Sequence, residues 1–223
     1  MKRAFVSWSG GKDSALALYK AKQQGFQVTS LLTMLEENKQ RSRSHAVPVH
    51  VMQAQADALA LELITPAATW ETYEQVFITT LRELKAREFT TAIFGDIDLQ
   101  SHRDWEEKVC KAASLEPVLP LWQEPREKLA REVLALGFRA KVVCVNGKYL
   151  SEDFCGRDYD ETFLKDLPQG IDACGENGEF HTFVYDGPIF QRPVNVYVTE
   201  HTSYHAPEHL GGDTYYFARL ELT

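Results

Sequence analysis

The chain has 223 residues and a mass of 25.4 kDa, with 44% hydrophobic and 25% charged residues and a net charge of −8. A chain of this size buries roughly 70% of its unfolded surface and needs no disulfide or metal staple; the composition excludes collagen, coiled coil and global disorder. The charge is uneven, with 20 Lys/Arg against 18 Asp/Glu in residues 1–150 and 4 against 14 in residues 151–223, which argues against nucleic acid as a partner, because duplex affinity comes from Lys and Arg on phosphates.

Residues 4–8 read as a short buried strand and residues 13–23 as a helix with an apolar face, closed by Gly25. Residues 28–34 form the next strand, 36–44 a polar loop, 49–61 a helix and 62–65 a short strand. The alternation continues with a helix at 72–87, a strand at 92–94, a helix at 104–114, a strand at 116–119, a helix at 125–136 and a strand at 141–145. Strands alternating with such helices predict a parallel sheet covered on both faces, and the nearly all-apolar strands agree. After Asn146-Gly147 the chain turns rich in Gly, Asp and Glu, and residues 194–199 and 214–222 read as strands. The expected architecture is α/β, with a nucleotide-type domain over residues 1–146 and a smaller acidic α+β domain over residues 147–223.

Cys110, Cys144, Cys155 and Cys174 are scattered with no C-x-x-C pair, against a zinc ribbon or a thioredoxin-like site. The N-terminus lacks the apolar stretch of a signal peptide, and no run of about 18 apolar residues is present to span a membrane. A reduced, cytoplasmic protein is expected, with a homodimer as the default among soluble oligomers.

The first chemical signal is Ser9-Gly10-Gly11-Lys12-Asp13-Ser14, between the first strand and the first helix. In an open parallel sheet ligands bind beyond the carboxyl ends of the strands. Two glycines let the backbone approach an anion, the amides opening the helix are free donors with the helix dipole behind them, and Lys12 adds a full charge. Asp13 suits a magnesium ion bridging phosphates. The loop is neither a Walker A motif nor a G-x-G-x-x-G fingerprint. It resembles the PP-loop of the ATP pyrophosphatases. That resemblance implies ATP cut between its α and β phosphates, cradled by Ser7, Ser9, Gly10, Gly11, Lys12, Asp13 and Ser14, with Leu32, Thr33 and Met34 near the adenine.

Two further stretches carry candidate chemistry. Gly95-Asp96-Ile97 ends a strand and is followed by His102-Arg103-Asp104-Trp105-Glu106-Glu107; the glycine lets the chain turn beside a ligand and Asp96 offers a carboxylate. Residues 174–184 contain Cys174-Gly175-Glu176-Asn177-Gly178-Glu179-Phe180-His181-Thr182, a polar cluster ahead of an apolar strand. With Pro120-Leu121-Trp122, these stretches resemble the diphthine–ammonia ligase (diphthamide synthase-like) family of PP-loop enzymes over nearly the whole chain. The resemblance implies an adenine nucleotide α-hydrolase-like parallel sheet sandwiched by helices, a smaller C-terminal domain, and ATP- and Mg2+-dependent joining of ammonia to a carboxylate. It points to Lys12, Asp96, Glu176, Glu179 and His181 as catalytic residues. Glu176 or Glu179 would hold ammonium, and one of them or His181 would take its proton. Arg103, Glu107 and Thr182 are the candidate acceptor contacts, with Gly95 beside the nucleotide.

One departure is informative. Where the family carries R-x-R-x-E, this chain has Arg103 and Glu107 but Trp105 in place of the second arginine. The H-R-D-W-E-E run resembles a bacterial branch, which weakens the case for protein-bound diphthine as acceptor and sets beside it a different carboxylate, such as a corrinoid. Two other readings stand beside the ligase, a PP-loop tRNA thiolase and a non-catalytic adenine-nucleotide-binding module. Among weaker features, His201, His205 and His209 share a spacing of four, but Pro207 breaks a helix there. Arg41, Arg43 and His45 lie in a polar loop that reads first as a solvated loop, with a lid over phosphates or substrate as the alternative.

Overall fold

The computed structural model describes residues 2–43, 45–208 and 211–223. Strands β1 (Arg3–Ser7), β2 (Gln27–Leu32), β3 (Glu62–Ile64), β4 (Thr91–Ile93) and β5 (Glu116–Val118) form a sheet in the order β3-β2-β1-β4-β5, and every pairing in it is parallel. Helices α1 (Lys12–Gln23), α2 (Val49–Leu59), α3 (Tyr73–Ala86), α4 (Gln100–Ala112) and α5 (Arg126–Ala135) complete this part of the chain. The strand order reverses between β1 and β4, so the crevice beyond their carboxyl ends is the place for a ligand.

Side chains leave β1 alternately, as the two-residue strand period requires. Ala4 and Val6 enter one apolar cluster with α1, while Phe5 enters a second with Phe77, Leu81 and Phe94. As expected, Gly25 follows α1 with φ +84°, and its amide closes the helix on Lys22 O at 3.1 Å.

The apolar run at 141–145 is where sequence and structure part. It belongs to β6 (Arg139–Asn146), which joins β7 (Phe180–Asp186), β8 (Val196–His205) and β9 (Thr214–Leu222) in an antiparallel sheet of order β7-β6-β9-β8. A continuous apolar run reports burial on both faces, not strand direction. A division at residue 146 therefore cuts the second sheet rather than separating it from the first. A short helix, α6 (Glu161–Asp166), stands in the Gly-, Asp- and Glu-rich stretch, where the sequence assigned no element; Asp160 caps it by accepting from Phe163 N at 2.8 Å. The two sheets share one core, since Trp8, Leu16 and Ala130 pack in the same cluster as Val143, Phe183 and Leu220. His201 and His205 lie on strand β8, not on a helix, and His209 lies outside the described residues. Among the described residues, no helix is long and apolar enough to cross a membrane.

Candidate active site

The hexapeptide after β1 bends through Gly10, whose φ is +84°, a conformation glycine adopts without steric penalty. Its carbonyl accepts from Gln55 Nε2 at 3.0 Å and from Val184 N at 2.8 Å, while Gln55 also reaches Val184 O at 2.6 Å and accepts from Trp8 Nε1 at 2.7 Å. Gln55, fully buried on α2, thus ties the loop to β7. Nothing in the sequence marked it, because it is one polar residue in an ordinary amphipathic helix.

Helix α1 starts without a side-chain cap of its own, as Gly11 occupies the cap position. The cap comes from the other sheet, with Lys12 N donating to Thr182 Oγ1 at 3.1 Å. Ser14 Oγ donates to Gly11 O at 2.9 Å and stands 3.2 Å from Ser9 Oγ. The Ser9 and Gly10 amides donate to no acceptor among the described residues. Free amides, two hydroxyls and a lysine at a helix start form a donor set suited to phosphate.

These groups line a cavity of about 780 Å³ at the switch point. Ser7 and Met34 line it beside the loop; Thr33 also lines it, but its hydroxyl is engaged with Trp8 O at 2.7 Å. Gly10 itself sits behind the loop, against Gln55 and Met52. Gly95 brings β4 onto the start of α1, where a Cβ would meet Ser14 N at 2.9 Å. Asp96, Glu176, His181 and Thr182 line the same cavity, contributed by distant parts of the sequence.

Three expected site residues are placed elsewhere. Glu179 is buried behind the turn, its carboxylate accepting from Asn177 N at 2.9 Å and Asn177 Nδ2 at 3.0 Å. It shapes the turn that presents Glu176. Arg103 and Glu107 pair with each other at 2.7 Å along α4, with both side chains substantially exposed. The reason is helical phase. Glu106 shares the buried i, i+3, i+4 face of α4 with Val109 and Cys110, so Glu106, and not Glu107, faces inward at 3% exposure.

The turn at 172–179 is braced from outside. Arg126 donates to Asp98, Asp172 and Asn177, and Asp172 in turn accepts from Cys174 N and Glu176 N. Lys12, 2% exposed, reaches Asp13 Oδ2 at 2.8 Å and Cys174 O, between the rings of Tyr159 and Phe180. Burial opposes its charge, but Asp13 and its other acidic neighbours outweigh burial and hold its pKa above the ordinary lysine value. Burial raises Asp13, with Lys12 opposing.

His45 folds back over the loop, its Nδ1 3.0 Å from Ser9 O and its ring edge-on to His181 with centroids 4.5 Å apart. The sequence offered it as part of a solvated loop or a lid; the ring is in fact buried. Burial, then the neighbouring His181, holds His45 well below the usual histidine range. Burial, then Lys12, brings His181 down to about 4. Both rings are therefore neutral at pH 7. Burial and the nearby Asp13 push Glu176 up to about 8. His102 Nδ1 lies 2.7 Å from Asp96 Oδ1. Burial works against the Asp96 charge, but the hydrogen bond from His102 holds its pKa below the ordinary value.

All four cysteines are buried, and burial pushes Cys110, Cys155 and Cys174 up to about 12. No group of three or more His, Cys, Asp or Glu among the described residues is arranged to hold a metal ion. A magnesium ion fits Asp13 only in the manner of nucleotide enzymes, on one or two carboxylates with phosphates and waters completing the shell.

The sequence is similar to that of a diphthine–ammonia ligase from Mus musculus, 29% identical over 84% of this chain and 80% of the relative. It is also similar to a tRNA-specific 2-thiouridylase from Serratia proteamaculans, 36% identical over 38% of this chain and 24% of the relative. A solved structure described as a predicted subunit of tRNA methyltransferase from Methanocaldococcus jannaschii aligns over 63% of this chain and 80% of its own, with 17% identity and a TM-score of 0.44. The family model for the diphthamide synthase N-terminal domain matches residues 1–117 and that for the C-terminal domain matches residues 125–209. With both models matched in order over most of its length, the chain belongs to the diphthamide synthase family.

Proposed function

We propose that this protein is an ATP-dependent ligase that joins ammonia to a carboxylate, releasing AMP and pyrophosphate. The observation that carries this reading is the meeting of two chemistries in one cavity. A phosphate-type loop with Lys12 comes from one sheet, and Glu176 and His181 come from the other side of the chain. Membership of the family and the similarity to diphthine–ammonia ligase support it.

In the first step a carboxylate oxygen of the acceptor attacks the α-phosphorus, and the bond to the bridging oxygen of the β-phosphate breaks. The loop amides and Lys12 stabilise the charge that builds on the phosphate oxygens. A magnesium ion held through Asp13 would offset charge on the leaving pyrophosphate. In the second step ammonia forms a C–N bond to the acyl carbon as the C–O bond to AMP breaks. His181, which lines the same cavity, is the group placed to accept the proton the new amide must lose. Thr33 and Met34 form the wall for the base of the nucleotide. Two acceptors are carried forward, protein-bound diphthine and a small-molecule carboxylate such as a corrinoid acid; Trp105, at the position of the family's second arginine, weighs against the first.

Sulfur transfer receives no comparable support, because the cysteines are buried and protonated at neutral pH. The decisive experiment supplies α-labelled ATP, magnesium and ammonium with a panel of carboxylates that includes corrinoid acids and diphthine-bearing elongation factor. AMP released with one acceptor only is the expected result and names the substrate. ADP as the labelled product would overturn α–β cleavage. Bound ATP with no product from any acceptor would favour a nucleotide-binding module.

A further inference from the structure

The Ser9 and Gly10 amides, which meet no acceptor among the described residues, are held from their other side. In a trans peptide the carbonyl oxygen and the following N–H lie in one plane and point in opposite directions. A group that grips the carbonyl therefore also aims the amide. The Ser9 amide shares its plane with Trp8 O, which accepts from Thr33 Oγ1 at 2.7 Å. The Gly10 amide shares its plane with Ser9 O, which lies 3.0 Å from His45 Nδ1. A carbonyl oxygen only accepts, so this ring nitrogen carries the proton. The next plane is gripped at Gly10 O, by Gln55 Nε2 at 3.0 Å and Val184 N at 2.8 Å, and its amide, Gly11 N, rests on Ser9 Oγ at 3.2 Å. Three consecutive carbonyls are thus held by side chains that lie outside the hexapeptide, in the connection after β2 and on α2. The fit is close, since a Cβ on Gly10 would meet Gln55 Oε1 at 3.0 Å.

We propose that His45 and Gln55 are positioning residues for the phosphate nest, gripping Ser9 O and Gly10 O so that the loop's donors are fixed before ATP arrives. The assignment rests on the ATP reading above and extends it to residues outside the motif. Peptide planes beside glycine rotate easily, and a plane turned by half a rotation would set a carbonyl oxygen against a phosphate. Donors fixed in advance need no reorganisation when the anion binds or when charge builds on it. Both side chains are buried, where a polar group is kept only with its bonds made. Thr33 grips Trp8 O in the same way, but it also lines the wall for the base, so the test falls on the other two.

Calorimetric titrations compare ATP with adenosine, which has the same base and sugar and no phosphate, and with inorganic pyrophosphate as a phosphate-only probe. His45→Phe and Gln55→Met keep bulk and lose the donor. In both, Kd for ATP and for pyrophosphate is expected to rise about five- to tenfold, the loss of one hydrogen bond, while Kd for adenosine stays within about twofold of wild type. His45→Asn, which keeps an N–H donor near the place of Nδ1, is expected to bring ATP binding back to within about twofold. A merely structural role would move adenosine and ATP together and would not be rescued by asparagine. Should Gln55→Met fail to fold, the two His45 variants carry the test alone. Equal losses for adenosine and ATP, unchanged ATP affinity in the donor-free variants, or no difference between His45→Phe and His45→Asn overturns the assignment. Phosphate-selective losses in this pattern, with no AMP released from any acceptor by wild type, leave the positioning role standing and remove the ligase reading. AMP release from an acceptor with the same KM for ATP in His45→Phe as in wild type does the reverse.

Discussion

Lys12 serves both halves of the molecule. Its ammonium is placed by Asp13 at 2.8 Å and by Cys174 O, and it remains charged in a nearly dry setting. A preorganised cation at developing phosphate charge is worth more there than in water. Lys12→Ala is expected to lose on the order of 3 kcal/mol of transition-state stabilisation, a few hundred-fold in AMP formation, measured at saturating ATP with folding checked by circular dichroism. Near-normal turnover would remove Lys12 from the mechanism. At this scale the sequence was legible where function is tied to a backbone motif. Residues 9–14 announced themselves by glycine, hydroxyl and charge in order. It was not legible where a side chain's role depends on the face it occupies. Glu179 and Glu176 look alike in the sequence, yet one is used up holding amides of the turn and the other opens into the cavity. Glu106 and Glu107 differ only by helical phase, which a helix this polar, with only Val109 and Cys110 as buried apolar markers, leaves hard to read.

Helix α1 shows the same lesson one level up. Its N-terminus is the anion site, so a side-chain cap contributed by its own loop would occupy the space a phosphate needs. Gly11 provides none, and Thr182 on β7 caps Lys12 N from outside instead. From sequence alone Thr182 stands as a candidate acceptor contact, because its bond spans 170 residues and leaves no local pattern. Removing a capping hydroxyl costs about 1 kcal/mol. Thr182→Ala should lower unfolding stability by about that amount and raise the KM for ATP, whereas Thr182→Ser should retain both. Denaturant melts and initial rates on the two variants decide it. A loss of acceptor affinity with ATP binding and stability unchanged would restore the earlier role. The alternation of strands and helices was legible through β5, since each unit carries its own period. The direction of β6 was not, as it is decided by β7 and β9, which follow it by more than thirty residues.

Across the whole molecule, the shared core packs ionisable groups between the two sheets, and folding is thereby linked to protons. Glu106 is pushed up to about 11 by burial and Asp96, and Glu176 to about 8 by burial and Asp13. Both are protonated in the folded state at neutral pH and ionised when unfolded. The Asp96 hydrogen bond raises His102, which therefore keeps its proton to higher pH when folded. In each case the folded state binds more protons between pH 6.5 and 8, so stability falls as pH rises through that window. His45 and His181 have depressed pKa values and carry the opposite sign, but they act only below about 6.5, where the unfolded rings take up protons. There they offset the two carboxyls, and the profile flattens. The unligated protein should thus be most stable on the acidic side of neutrality and lose up to about 1.4 kcal/mol per pH unit for each contributing group above it. Glu106→Gln removes one of those protons and should reduce the slope between pH 6.5 and 8 by about one group's share, as read from urea melts at half-unit intervals. A wild-type stability that rises over this window, or a slope identical in Glu106→Gln, would show that Glu106 is ionised in the folded protein, so that the cavity wall beside Asp96 carries a second full negative charge.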